Sequence, residues 1–430
     1  MTAFAYRDGV LHAEGVSLAH LADEVGTPLY VYAAGAIEAS YDAYARGLAD
    51  AGLRALVAYG VKANDNLAVI ATLARRGAGA DVVSGGEIAR AIAAGIVPGR
   101  IIYSGVGKTP AEIVQALDAG IRQFNVESAA EIDTIARIAG DHGVTAPVAL
   151  RVNPDVDAGT HHKIATGRKG DKFGVDMVDA PALYARMAAD RRLAPRGLAL
   201  HIGSQILSLA PFRAAFGALA GLARTLRAEG LPVATLDFGG GLGVAYRDDA
   251  EAPSRADYGR VIAEAIGDLL VDVAIEPGRS IVAMAGVLVT RIVATKESHG
   301  TRFVVVDAAM NDLLRPAMYD AYHGIRPVVR PRTEDESLVD VVGPICESSD
   351  VFARARPMPP VAARHVLVID AAGAYGRVMA SCYNARPLIP EVMVRGDRAE
   401  IIRRRPTFEE SIALEAMPPW LAPASTQGAA

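Results

Sequence analysis

Cysteine is scarce in this chain: 430 residues contain two, Cys346 and Cys382. Two thiols cannot form a disulfide framework, so the sequence reads as that of a protein in a reducing compartment, the cytoplasm. Long apolar runs are also missing. No stretch reaches the roughly 18 uninterrupted apolar residues of a membrane span. The opening Met1-Thr-Ala-Phe-Ala-Tyr-Arg-Asp-Gly9 has no signal-peptide core. Excess positive charge is absent: the formal net charge is −5, which gives no support for a nucleic-acid surface. Short repeats and long low-complexity tracts are not seen, and the tail 418–430 reads as frayed.

What the chain does have is apolar material, 51% of its residues. At this length it suggests two domains, or one large barrel with an attachment. Apolar, β-prone stretches occur at 55–60, 80–84, 101–104, 122–126, 147–152, 197–202, 234–238 and 272–275. Helical patterns fill most of the gaps, after an opening helix expected over 34–50. Alternation of this kind predicts parallel strands. Eight of them point to a (β/α)8 barrel, with an open doubly wound sheet as the alternative. Beyond about residue 285 the pattern changes to strands with few helices, at 286–295, 302–307, 338–342, 365–370 and 399–403. This reads as a second, mostly β domain, sandwich- or barrel-like. Arg330-Pro-Arg-Thr-Glu-Asp-Glu336 and Arg354-Ala-Arg-Pro-Met-Pro-Pro360 read as solvated loops. The expected division is 27–284 for the barrel and 1–26 plus 285–417 for the β-domain.

The chemistry-bearing residues fall where such barrels place their active sites, at the C-terminal ends of the strands. Lys62 follows the first strand, in Ala58-Tyr59-Gly60-Val61-Lys62-Ala63-Asn64. Desolvation there would favour its neutral, nucleophilic amine, as Schiff-base chemistry requires. Ser84-Gly-Gly-Glu87 follows the second strand, Asn153 the fifth, and His201-Ile-Gly-Ser204 the sixth. Gly239-Gly-Gly-Leu-Gly243 follows the seventh strand. Its amides suit a phosphate, although no Lys-Ser/Thr follows and the spacing is not a dinucleotide fingerprint. A tight turn would explain it equally well. Glu276-Pro-Gly-Arg279 follows the eighth strand: its carboxylate suits a pyridinium proton, and its guanidinium suits a carboxylate. His161 and His162 are adjacent and lack metal-site spacing. In the second domain, Arg315-Pro-Ala-Met-Tyr319, Cys346-Glu347 and Gly373-Ala-Tyr375-Gly376 place polar groups in turn-forming contexts.

Together these motifs resemble those of the pyridoxal-phosphate decarboxylases that join a β/α barrel to a β-domain, the alanine-racemase-like group. Within that group the chain is similar to the diaminopimelate decarboxylase family. The similarity runs from about Thr27 to Glu410. It includes Asp81-Val-Val-Ser-Gly-Gly-Glu87, Met310-Asn-Asp-Leu-Leu-Arg-Pro-Ala-Met-Tyr319, Cys346-Glu-Ser-Ser-Asp350 and Met379-Ala-Ser-Cys-Tyr-Asn384. The resemblance implies that Lys62 carries pyridoxal 5′-phosphate, that His201 stacks on its ring, and that Glu276 pairs with its ring nitrogen. Ser204, Gly240, Gly241, Gly278, Arg279 and Tyr375 are implied for cofactor binding. Arg279, Arg315, Tyr319, Glu347 and Tyr375 are implied for substrate, and Cys346 as proton donor. It also implies a cytoplasmic homodimer with active sites shared across the interface, acting in the last step of lysine biosynthesis. Two positions depart from the family pattern, Cys382 and Lys163.

Overall fold

Eight short strands rich in apolar side chains alternate with amphipathic helices through the first two-thirds of the chain. The computed structural model describes residues 3–157, 172–247, 249–332 and 335–421. The eight strands are Ala55–Gly60, Gly79–Val82, Ile101–Tyr103, Gln123–Val126, Ala146–Asn153, Leu193–Ala199, Thr235–Asp237 and Asp272–Ile275. All are parallel, and each pairs with the next in chain order. The eighth returns to the first, with Val273 opposite Ala55. The sheet is therefore a closed barrel, which excludes the open doubly wound alternative. Both faces of most strands are buried, so they read as continuous apolar runs without alternation.

Helices of eight or more residues follow the first seven strands, the eighth is followed by the four-residue Arg279–Val282, and several of the longer helices start at side-chain caps. Ser84, Thr109, Ser128 and Ser254 each accept a bond from the amide three residues on, satisfying a first-turn N–H that would otherwise lack a partner. The position after the eighth strand is filled by a helix from before the first, Ala34–Asp50, which packs on Arg255–Ile266 and on Leu67–Ala74. Tyr44 of that helix meets Tyr258 edge-on, with ring centroids 6.2 Å apart at 87°. A contact of this geometry adds about 0.5–1.5 kcal/mol beyond simple burial.

The second region is mostly β. Its sheet runs in the order Val351–Met358, Ser337–Val342, Thr301–Val306, Gly286–Ser298, Leu29–Ala33, Glu391–Arg395, Arg398–Arg403. Val366–Ile369 also pairs with Gly286–Ser298 and with Ile325–Pro327. Leu29–Ala33, which the sequence reading assigned to the barrel, hydrogen-bonds into this sheet on both sides. The sheet is thus built from both ends of the chain, with the barrel inserted between them.

One expected loop is a strand. Arg354 to Met358 lie in Val351–Met358, where Leu338 faces Pro357 and Ser337 faces Met358. Phe352, Ala353 and Met358 are buried and anchor the strand. It lies at the sheet edge, where a proline, which has no N–H to donate, is tolerated. Of the expected frayed tail, only Pro418 to Leu421 are described, and Pro419–Leu421 form a single 3₁₀ turn. His161, His162 and Lys163 lie outside the described residues.

Candidate active site

Lys62 sits in a 3₁₀ turn, Val61–Ala63, directly after the first barrel strand. The turn is held from two sides. Gly60 N–H donates to the Pro277 carbonyl at 3.1 Å, and Tyr375 N–H donates to the Ala63 carbonyl at 2.8 Å. The Asn64 side chain donates to the Gly373 carbonyl at 3.1 Å. The eighth-strand loop and a loop of the β-domain therefore fix the lysine turn together. Lys62 lines a cavity of about 370 Å³ with His201, Ser204, Tyr246, Arg279, Arg315, Tyr319 and Tyr375 among its walls.

The protonation state of Lys62 is opposite to the sequence expectation. Burial does work against its charge, but the Asp81 carboxylate lies 2.6 Å from Nζ. Asp81, with Tyr375 and Glu276, outweighs burial and holds the free amine well above its ordinary pKa. Asp81 lies inside the second strand, fully buried, and its other oxygen, Oδ1, has no hydrogen-bond partner among the described residues.

Glu276 follows the eighth strand and is also buried. Asn125 Nδ2 donates to Glu276 Oε1 at 3.2 Å and reaches Asp237 Oδ2 at 3.3 Å. Ser104 Oγ is 3.4 Å from the same Glu276 oxygen. Burial, then the neighbouring Asp237 and Asp81, push the Glu276 pKa well up, and Lys62 is the cation that opposes this. Burial raises Asp237 as well. Three buried carboxyl groups, Asp81, Asp237 and Glu276, are thus gathered near one lysine.

His201 caps the sixth strand. Its Nδ1 accepts from Gly240 N–H at 3.2 Å, which places the proton of the neutral ring on Nε2. Burial, with Arg151 and Lys62 nearby, pushes its pKa well down and keeps the ring neutral. Gly240 and Gly241 show why glycine is needed in this turn. A Cβ on Gly240 would sit 2.3 Å from the Glu276 carbonyl oxygen, and Gly241 has φ of +108°.

Arg279 Nη2 donates to Ser204 Oγ at 2.9 Å, and its Nη1 donates to the Tyr246 hydroxyl at 2.9 Å. Its guanidinium lies 4.7 Å from the Tyr375 ring centre. Arg315 lies over the Tyr246 ring at 4.5 Å. Among the described residues neither guanidinium has a carboxylate partner.

Other sequence candidates lie elsewhere. Ser84 and Glu87 form a helix start: Ser84 accepts from Glu87 N–H, and Glu87 accepts from Val83 N–H at 2.8 Å. Burial raises the Glu87 pKa to about 7. Asn153 is buried at the end of the fifth strand and does not line the cavity. Gly278 begins the Arg279 turn. Cys346 and Glu347 are exposed and do not line the cavity of their own chain. Ser349 Oγ donates to Glu347 at 2.6 Å. Cys382 is exposed and, like Cys346, carries a free thiol.

Ser104, Asn125, Asp237, Tyr246 and His323 were not singled out in the sequence, and Asp81 appeared there only as part of a motif, with no role. A signal existed for three of them. Asp81, Asn125 and Asp237 are polar residues inside otherwise apolar strands, where a side chain with no functional use would carry a desolvation cost.

Comparison with known proteins decides the family. Residues 34–283 match the model of the pyridoxal-dependent decarboxylase pyridoxal-binding domain. A curated diaminopimelate decarboxylase of Pseudomonas aeruginosa is 48% identical over 97% of this chain and 100% of its own length. That of Zymomonas mobilis is 46% identical over 98% of this chain and 100% of its own. The crystal structure of the M. jannaschii enzyme in complex with L-lysine superposes with a TM-score of 0.93 at 37% identity, covering 97% and 99% of the two chains. The chain belongs to the diaminopimelate decarboxylase family. It is a pyridoxal-phosphate-dependent decarboxylase.

The charge balance of the site fits the cofactor of this family. Burial and the neighbouring Asp237 and Asp81 hold Glu276 well above the usual carboxylate pKa, so its ionised form calls for a cation beside it. The ring nitrogen of pyridoxal phosphate, once protonated, supplies a cation of that kind. In the glycine turn the amides of Gly239, Gly240 and Gly243 donate to Asp237, His201 and Ile206. No described helix is long and apolar enough to cross a membrane.

Proposed function

We propose that this protein decarboxylates meso-2,6-diaminopimelate to L-lysine and carbon dioxide, the last step of lysine biosynthesis, as a cytoplasmic homodimer. The barrel domain begins at about residue 34 and ends near 284, and the β-domain is formed by the two ends of the chain. The observation that carries this reading is the pair Arg279 and Arg315, two guanidinium groups on the Lys62 cavity with no carboxylate among the described residues to balance them. A substrate with a carboxylate at its non-reacting end balances both. A diamino acid without that carboxylate leaves Arg315 unpaired and Arg279 with the cofactor phosphate alone, and an unpaired buried cation is a strong discriminator.

Lys62 would hold the cofactor covalently, with its phosphate toward Ser204, Gly240, Gly241, Gly278 and Arg279. His201 would lie on one face of the ring as a neutral imidazole, and Tyr375 beside the phosphate. Bound in this way, pyridoxal phosphate supplies the electron sink for the pair left by departing carbon dioxide. Glu276 keeps the ring nitrogen protonated, and Asn125 and Ser104 fix the direction of its carboxylate. Asp81 holds a proton on the free Lys62 amine whenever substrate has displaced it. Arg279, Arg315 and Tyr319 bind the distal carboxylate.

Cys346 and Glu347 are supplied by the second subunit: Glu347 reads the distal ammonium and Cys346 Sγ delivers the proton that replaces carbon dioxide. Their exposure, and their absence from the described lining of their own chain's cavity, support this arrangement. The test is to mix Lys62→Ala and Cys346→Ala chains, each inactive alone. Hybrid dimers should regain about a quarter of the wild-type lysine production, because random mixing gives half hybrids with one intact site each. No recovery, with hybrid dimers present, would overturn the shared site.

A further inference from the structure

His323 is fully buried beside the arginine pair, eight residues after Arg315 in the chain. Its two ring nitrogens have different partners. Nδ1 is 2.8 Å from the Asp370 carbonyl oxygen, and Nε2 is 2.9 Å from Arg315 Nη1. A carbonyl oxygen only accepts and a guanidinium only donates. The proton is therefore on Nδ1, and the Nε2 lone pair accepts from Arg315. The ring is held in this orientation by Tyr246, which meets it nearly edge-on at 5.4 Å. Arg356 donates to the His323 backbone carbonyl at 2.8 Å.

We infer that His323 is a positioning residue that, as a neutral acceptor, aims Arg315 at the substrate's distal carboxylate while leaving its charge available. The inference rests on the reading of Arg315 as a carboxylate-binding group. A carboxylate in place of His323 would also orient Arg315, but it would neutralise the charge the substrate needs. Burial, with Arg315, Arg279 and Arg356 around it, pushes the His323 pKa down to about 3, so the ring stays an acceptor across the working range of pH. Tyr246 does the corresponding work for the second cation. Its hydroxyl accepts from Arg279 and its ring lies beneath Arg315. Two like charges are thus kept side by side by neutral groups alone.

The test uses the holoenzyme and two ligands, L-lysine and 1,5-diaminopentane, which carries the same two amines and no carboxylate. Binding is read from the visible spectrum, so it does not depend on turnover. His323→Leu should weaken lysine binding and raise KM for meso-diaminopimelate about tenfold, the equivalent of one lost charge-assisted hydrogen bond. Diaminopentane affinity and kcat should stay within about twofold. His323→Gln, which keeps an acceptor, should recover most of the lysine affinity. His323→Glu should lose it again, although its side chain fills the same space as Gln. Equal weakening of both ligands, or none of either, would overturn the inference. So would a Glu variant that binds lysine as well as Gln does. Arg315→Met separates this failure from that of the underlying reading. If it too leaves the lysine-to-diaminopentane ratio unchanged, the carboxylate role of Arg315 itself is wrong. If the ratio falls for Arg315→Met alone, only the role of His323 fails.

Discussion

The cavity joins two regions of opposite electrostatic design. Around Lys62 the protein gathers acids: Asp81, Asp237 and Glu276 are all buried near one amine. Around Arg279 and Arg315 it gathers cations and surrounds them with neutral groups, Tyr246, Ser204 and His323. Burial holds Glu276 and Asp237 toward their protonated forms, so the acidic region takes on negative charge only beside a cation, whereas the arginine pair is cationic without a ligand. Buried charge that lacks a counter-charge is costly, so each arrangement implies a ligand that completes it. The acidic group suits a protonated ring nitrogen, and the arginine pair suits a carboxylate. The first defines the cofactor side of the reaction and the second its substrate.

Breaking the acidic side should have the larger effect. Lys62→Ala removes the amine that holds the cofactor and should lower kcat by at least about 10³-fold. The purified protein should also lose its visible absorbance after gel filtration. Glu276→Gln keeps the shape but removes the carboxylate, and should lower kcat about 10²-fold with little change in KM. A Gln variant with normal kcat would show that the acids serve only the fold.

A smaller effect should appear in stability. The folded-state pKa of His323, about 3, lies below the ordinary histidine value of about 6.5. Between these values the unfolded chain binds the proton and the folded chain does not. The contribution of His323 is therefore complete above pH 6.5 and is lost as pH falls toward 3. Wild type should lose more Tm than His323→Gln on acidification from pH 7 to 5. The charged neighbours of the ring, Arg315, Arg279 and Arg356, all act in this direction. Parallel Tm profiles for the two proteins would contradict the buried neutral ring.

Much of this comparison could be read from the sequence, but unevenly. The barrel was legible because its strands are buried on both faces and each ends near a conspicuous residue. Lys62, His201, Glu276 and Arg279 were found in that way. Arg315 lay in a turn-forming context that reads as a loop, and only the family resemblance gave it a role. The supporting residues were hidden for physical reasons. Asn125 and Asp237 act on Glu276 from other strands, and sequence distance gives no hint of those contacts. His323 reads as an ordinary loop histidine until its two partners are seen. The Lys62 charge state was misread because its counter-ion, Asp81, lies nineteen positions away on the next strand. Arg354 to Met358 read as a loop because Arg354, Arg356 and the three prolines Pro357, Pro359 and Pro360 suggest one, and only the sheet edge makes a strand of it.

The most direct measurement is the ratio of kcat/KM for meso-diaminopimelate to that for lysine, a diamino acid with a single carboxylate, in the wild-type holoenzyme and in Arg315→Met. Decarboxylation of lysine consumes its only carboxylate, so nothing remains for the arginine pair to bind. The account predicts a wild-type ratio of at least about 10²-fold, with carbon dioxide and lysine released one for one from meso-diaminopimelate. It predicts that the ratio falls at least about tenfold in the variant, as the loss of a charge-assisted contact requires. A wild-type enzyme that treats the two substrates alike, or a ratio that Arg315→Met leaves unchanged, would contradict it.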